Sequence, residues 1–166
     1  MSETASLALN TSLGTIGIVA SAEGLRRVRL PGGALPPVDD DACGEAAEHA
    51  RVAATQLEEY LARERHVFDV ELDWNGVDER HRNVLETLVA AAPFGRTVTY
   101  GELGRRAGEE DPREIGQMMA TNPLPLVVPC HRVVAADGLG GYGGGLELKR
   151  RLLELEHVLP QRLLDA

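Results

Sequence analysis

Three prolines within seven residues, Pro123, Pro125 and Pro129, limit this chain more than any other feature. Each fixes its own φ and lacks an N–H, and each disfavours helix at the residue before it. The stretch Asn122–Val134, NPLPLVVPCHRVV, is therefore predicted to be extended and stiff. Its apolar run, Leu126-Val127-Val128, reads as a buried strand that ends at Pro129. Cys130, His131 and Arg132 follow directly. A thiolate forms at neutral pH only beside positive charge or hydrogen-bond donors. A thiol, an imidazole and a guanidinium in succession supply those parts, and a buried structural cysteine is the competing reading.

The sequence before residue 77 shows no comparable chemistry. TIGIVA (15–20) and LRRVRL (25–30) flank Ser21-Ala22-Glu23-Gly24 and predict a hairpin. Pro31-Gly32-Gly33, Pro36-Pro37 and Asp39-Asp40-Asp41 predict a loop. Ala46, Ala50, Ala53, Leu57 and Leu61 recur at helical spacing and predict an amphipathic helix over 45–61. His66 to Trp74 alternates and predicts a strand whose wet face holds Val67, Asp69 and Glu71. Cys43 stands alone and reads as structural or exposed.

The second half carries helix punctuation. Val84, Leu85, Leu88, Val89 and Ala92 share one face of a helix over 78–92. Thr99 with Glu102 is a capping box that starts a helix at Tyr100, and Gly108 closes it. Asp111 and Pro112 start another that runs to Thr121, with Glu114 expected to point back at that helix terminus. Two short helices across a glycine-containing turn form a helix-turn-helix candidate, a pattern most often used only for packing. Asp137–Gly145, DGLGGYGGG, lacks the Lys-Ser/Thr of a phosphate loop. It could be a flexible turn, or a backbone that approaches a flat ligand, with Tyr142 as a lining ring. A last helix over 147–157 carries Leu148, Leu152, Leu153 and Leu155 and has Glu156 near its end.

The net charge of −9 argues against nucleic acid until its distribution is considered. Residues 1–79 hold 6 basic and 15 acidic side chains, whereas residues 80–166 hold 11 of each. Any DNA footprint must rest on a few placed arginines in the second half. No apolar run reaches the length of a membrane span. The two cysteines are far apart, and the start of the chain lacks a signal-peptide pattern; both point to a reduced, cytoplasmic setting.

PCHRV, preceded by Asn-Pro and followed by Gly-Tyr-Gly-Gly and a Leu-rich helix, resembles the O6-alkylguanine-DNA alkyltransferases. TYGEL and DPREIG upstream strengthen the likeness, which spans residues 80–158. The resemblance implies an α+β fold: a small RNase H-like α/β domain over 1–76, then a mostly helical alkyltransferase domain over 77–166 with a helix-turn-helix. It implies stoichiometric repair, in which Cys130 takes the alkyl group from O6-alkylguanine, and from O4-alkylthymine, after base flipping. His131 would act through a water as base, polarised by Glu156, and Asn122 would brace the cysteine turn. Tyr100 would help rotate the nucleotide and protonate the leaving base. Arg113 would be the finger that enters the stack, on a DNA face shared with Gly116, Gln117 and Thr121. Val133 would offer a backbone carbonyl to the base, and Tyr142, Gly143 and Met119 would line its pocket. It implies double-stranded DNA as partner, a monomer, and no metal, cofactor or membrane. Gly143 stands where a small hydroxyl residue often sits in that family. Two other classes fit the residue types: a module that binds alkylated DNA without transfer, and a Cys-His hydrolase.

Overall fold

The computed structural model describes residues 4–35, 37–38 and 43–160. Pro36 and Asp39–Asp41 of the predicted loop lie outside the described residues. The chain divides into two compact units. The first holds the described residues up to Val77 together with 123–127, and the second holds 78–122 and 128 onward.

The first unit is an antiparallel meander, β1 (Thr4–Thr11), β2 (Gly14–Ser21) and β3 (Gly24–Arg29), with helix α1 (Gly44–Leu61) packed on it. The predicted hairpin is present, with Ser21 opposite Gly24. Strand β1 is an addition that the sequence reading missed; it pairs along its whole length with β2, Leu9 opposite Ile16. Ile16, Ile18, Ala20 and Leu25 of the sheet and Ala50, Ala53 and Leu57 of α1 are all fully buried. Cys43 is exposed just ahead of that helix.

The strand expected over 66–74 does not form. Only Leu72 bridges to Leu25, and Gly24 permits it: a Cβ there would sit 2.5 Å from the Glu71 carbonyl oxygen. Side chains take three of the other backbone groups. Gln56 donates to the Asp69 carbonyl and accepts from its N–H, and Arg65 donates to the Val67 carbonyl. The alternation itself survives, with Val67, Asp69 and Glu71 exposed and Phe68, Val70 and Leu72 half-buried. Asp73 is an acidic side chain of the first half that is not solvated. It is buried, accepts from Ser21 Oγ at 2.6 Å and pairs with Arg26 at 2.8 Å.

The second unit packs α2 (Glu79–Ala91), α3 (Tyr100–Ala107) and α4 (Pro112–Ala120) together, and adds α5 (Leu146–Leu155). Helices α3 and α4 start where their caps predict, with Thr99 accepting from Glu102 N–H and Asp111 from Arg113 N–H; Asp78 caps α2 in the same way, accepting from His81 N–H. Gly108 ends α3 in the left-handed region at φ 78°. Val89 is 47% exposed, so the core face of α2 is Val84, Leu85 and Leu88 without it. Two short parallel strands, β4 (Val98–Thr99) and β5 (Val133–Val134), join the start of α3 to the residues after the Cys-His-Arg triplet.

The proline-rich stretch is not extended throughout. Leu126 takes φ 75°, so the apolar run turns instead of forming a strand, and Cys130–Arg132 is a single 3-10 turn. Prolines bar α-helix here, but they leave the residues between them free to turn. Among the described residues no helix is long and apolar enough to cross a membrane.

Candidate active site

Parallel pairing of Val98 with Val133 and Thr99 with Val134 brings the first residue of α3, Tyr100, beside the turn that carries Cys130. The result is a cleft of about 400 Å³ lined by Tyr100, Gly116, Met119, Ala120, Cys130, Gly141, Tyr142 and Gly143. Six of these eight carry site roles in the sequence reading: Cys130, Tyr100, Gly116, Met119, Tyr142 and Gly143. Ala120 and Gly141 do not. Ala120 lies one turn past Gly116 on α4, the i+4 relation that would have found it.

Cys130 is 6% exposed, and burial pushes its thiol above the ordinary value. Hydrogen bonding to Asn122 and Tyr142 and the charge of Lys149 oppose that rise. Asn122 also donates to the Val128 carbonyl at 2.9 Å, so one side chain ties the turn across Pro129. Burial, with the neighbouring Cys130 thiolate, raises the phenol of Tyr100 and raises that of Tyr142 well above the usual value. Both therefore stay protonated as donors at neutral pH. Tyr142 Oη makes no hydrogen bond to nitrogen or oxygen; the group it faces is the Cys130 sulfur. Tyr100 lies against Gly140 (φ 73°), where a Cβ would come within 2.9 Å of its ring, and its hydroxyl donates to the Gly141 carbonyl at 3.4 Å.

Behind the cysteine, His131 is fully buried and its Nε2 lies 2.6 Å from Glu156 Oε2. Burial lowers the imidazole pKa against the pull of Glu156, so the ring is neutral. A neutral ring that donates from Nε2 leaves its lone pair on Nδ1. That atom is buried without a protein partner. Burial raises the Glu156 carboxyl, but hydrogen bonds from His131 and Arg132 outweigh it and hold the pKa at about 2.

Arg132 does not serve the thiol, contrary to the sequence reading. Its guanidinium donates to both Glu156 oxygens, at 2.7 and 3.0 Å, and to the Ala92 carbonyl at 2.8 Å. A 3-10 turn points successive side chains about 120° apart, so three neighbours in sequence need not converge. The cation near the thiol is Lys149, which the sequence reading passed over. It is fully buried, and its ammonium donates to the carbonyls of Val133 at 2.7 Å and Gly141 at 2.9 Å, and to Leu139. Burial outweighs the opposing pull of a Cys130 thiolate and brings its pKa down to about 8. The Val133 carbonyl thus already accepts one hydrogen bond.

Arg113, Gln117 and Thr121 are exposed along one face of α4, and Arg113 reaches furthest out, its side chain 91% exposed. Glu114 does not cap its own helix. It pairs with Arg80, which also holds Glu109 through two hydrogen bonds at 2.8 and 2.6 Å. Asp111 already accepts at the helix start, and a nearby guanidinium outcompetes a second backbone N–H. Among the described residues no cluster of three or more His, Cys, Asp or Glu could hold a metal ion.

A buried thiol at the base of an open cleft, flanked by two phenols and backed by a neutral imidazole, can act as a nucleophile towards a flat ligand. Comparison with known proteins gives that chemistry a family. The family model for the DNA binding domain of 6-O-methylguanine DNA methyltransferase matches residues 79–158. The methylated-DNA–protein-cysteine methyltransferase of Methanopyrus kandleri is 44% identical over 135 residues, spanning 81% of this chain and 97% of that protein. Its counterpart in Mycobacterium tuberculosis is 46% identical over 106 residues, 63% of each. The M. tuberculosis OGT crystallised in complex with DNA superposes with a TM-score of 0.76 at 32% identity, covering 92% of this chain and 91% of that one. The chain belongs to the methylated-DNA–protein-cysteine methyltransferase family. The family reading made from PCHRV and TYGEL is therefore correct, and the mixed α/β fold agrees with it.

Proposed function

We propose that the protein repairs double-stranded DNA by moving an alkyl group from O6-alkylguanine, and from O4-alkylthymine, irreversibly to Cys130. The observation that carries this reading is the cleft with Cys130 at its base, open beside the exposed face of α4. The target oxygen is out of reach inside a duplex, so the nucleotide must rotate into the cleft, at a cost of a few kcal/mol. Helices α3 and α4 act as a helix-turn-helix. Gly116, Gln117 and Thr121 meet the duplex, and Arg113 fills the stack as the base leaves. Such docking needs mostly phosphate contacts and little sequence preference.

His131 Nδ1 takes the thiol proton across a bridging water, and Glu156 steadies the imidazolium that forms. Sulfur then attacks the alkyl carbon. An S–C bond forms, the C–O6 bond breaks, and its electron pair passes to the guanine. Tyr100, protonated in its half-buried setting, donates to the leaving base. Tyr142 hydrogen-bonds the sulfur, and Met119 and Gly143 bound the base. The Val133 carbonyl keeps a second lone pair for the base amino group. The thioether is stable, so one molecule repairs one base. The order β1-β2-β3-α1 supports an RNase H-like reading of the first unit. The protein acts as a cytoplasmic monomer.

Incubation with an O6-methylguanine duplex should add one methyl mass to the peptide that contains Cys130, and Cys130→Ser should abolish it. An unmodified peptide after complete mixing refutes the reading. A hydrolase would instead yield more product than protein.

A further inference from the structure

Arg80, in the first turn of α2, holds two carboxylates that the mechanism does not use. It forks onto Glu109, in the turn between α3 and α4, through Nε at 2.8 Å and Nη2 at 2.6 Å. The same Nη2 meets Glu114, the residue after Arg113. Two further α2 side chains reach the same helix pair: Asn83 donates to the Ala107 carbonyl at 3.0 Å, and His81 Nε2 meets the Met118 carbonyl at 2.8 Å. The placement matters because residues 80–166 have no surplus of positive charge to draw DNA in. A carboxylate beside a phosphate chain is repulsive, and within about 10 Å that repulsion is only partly screened at 0.1 M salt. Glu114 stands directly beside the exposed finger, and Glu109 borders the turn that leads into it.

We propose that Arg80 is a positioning residue for duplex docking: it masks Glu109 and Glu114, and so lets the Arg113 face of α4 approach phosphate. This rests on the reading of α4 as the DNA-facing helix. Arg80 does not line the cleft, so its effect should be confined to duplex substrates. The bidentate fork keeps the guanidinium on its carboxylates instead of spending it on phosphate.

The test compares transfer from an O6-methylguanine duplex with transfer from free O6-benzylguanine. Arg80→Ala should slow the duplex reaction on the order of tenfold at low salt, and leave the free-base reaction within about twofold. The gap should narrow as salt rises. Adding Glu109→Gln and Glu114→Gln to Arg80→Ala should return most of the duplex rate, because the charges are gone although the fork is not rebuilt. An unchanged duplex rate in Arg80→Ala overturns the proposal. So does a triple variant as slow as Arg80→Ala, which would make Arg80 only a structural clamp, and so does an equal loss on both substrates. Anisotropy with unmodified duplex reads the same order of affinities without chemistry. If the parent protein took no methyl from DNA, the proposed function would fail while this binding order could still be read.

Discussion

Glu156 and Glu114 are both carboxylates held by an arginine in the second unit, yet their surroundings assign them opposite work. Glu156 is fully enclosed, with Arg132 on both oxygens and His131 on one. Glu114 is 45% exposed and shares Arg80 with Glu109. Water reaches Arg80 and Glu114, each about half exposed, so that pair contributes little to folding and acts on what approaches from outside. The enclosed set has lost its hydration, so every partner is obligatory, and it fixes which ring nitrogen of His131 carries the proton. Identical chemical groups thus serve stability and tautomer in one place and docking in the other.

The contrast can be broken most directly at Glu156. Glu156→Gln leaves the Arg132 charge enclosed without its counter-charge, and should cost about 3–5 kcal/mol in urea unfolding. A loss near zero would show that water reaches this cluster and would erase the distinction. Acid sharpens the same point. The folded pKa of Glu156 is about 2 against an ordinary 4.5, so its contribution is complete above 4.5 and disappears as pH falls towards 2. His131 is lowered from 6.5, so the unfolded chain takes up that proton first and stability starts to fall below 6.5. Urea midpoints should therefore decline steadily from neutral to about pH 3, and Glu156→Gln should flatten the lower limb of that curve. Lys149→Met leaves buried carbonyls without their donor, and should cost about 1–3 kcal/mol while slowing transfer through the loosened glycine loop. Full stability with full transfer would remove Lys149 from the site. Arg80→Ala has the smallest expected effect on folding: its urea midpoint should match the parent, and a clear drop would place the exposed set with the enclosed one.

The sequence disclosed local signals well and convergence poorly. Capping signals at Thr99 and Asp111 act within one turn of chain, and each helix begins where they indicate. Cys130, Tyr100, Tyr142, Met119 and Gly143 could be named through a family likeness, and all five line one cleft. Lys149 escaped notice because its neighbours Arg150 and Arg151 make it look like one more surface charge; only packing shows that its head reaches three carbonyls. Arg132 was misjudged since adjacency along a chain says nothing about direction on a tight turn. The failed strand over 66–74 had the right periodicity, but Gln56 and Arg65 took its backbone partners, and that competition is invisible to periodicity.

The path of the chain also bears on how the gene could be cut. Residues 123–127 leave the second unit, join the first, where Pro123 accepts from Val28 N–H, and the chain then returns at Val128. A fragment that starts at Asp78 would carry Leu124 and Leu126, both buried in the intact protein, without the meander that shelters them. Expressed alone it should be sticky, and supplying the earlier residues as a separate polypeptide should restore its solubility. Heredity has interleaved the two halves, so shuffling one of them between relatives means exchanging a five-residue thread along with it.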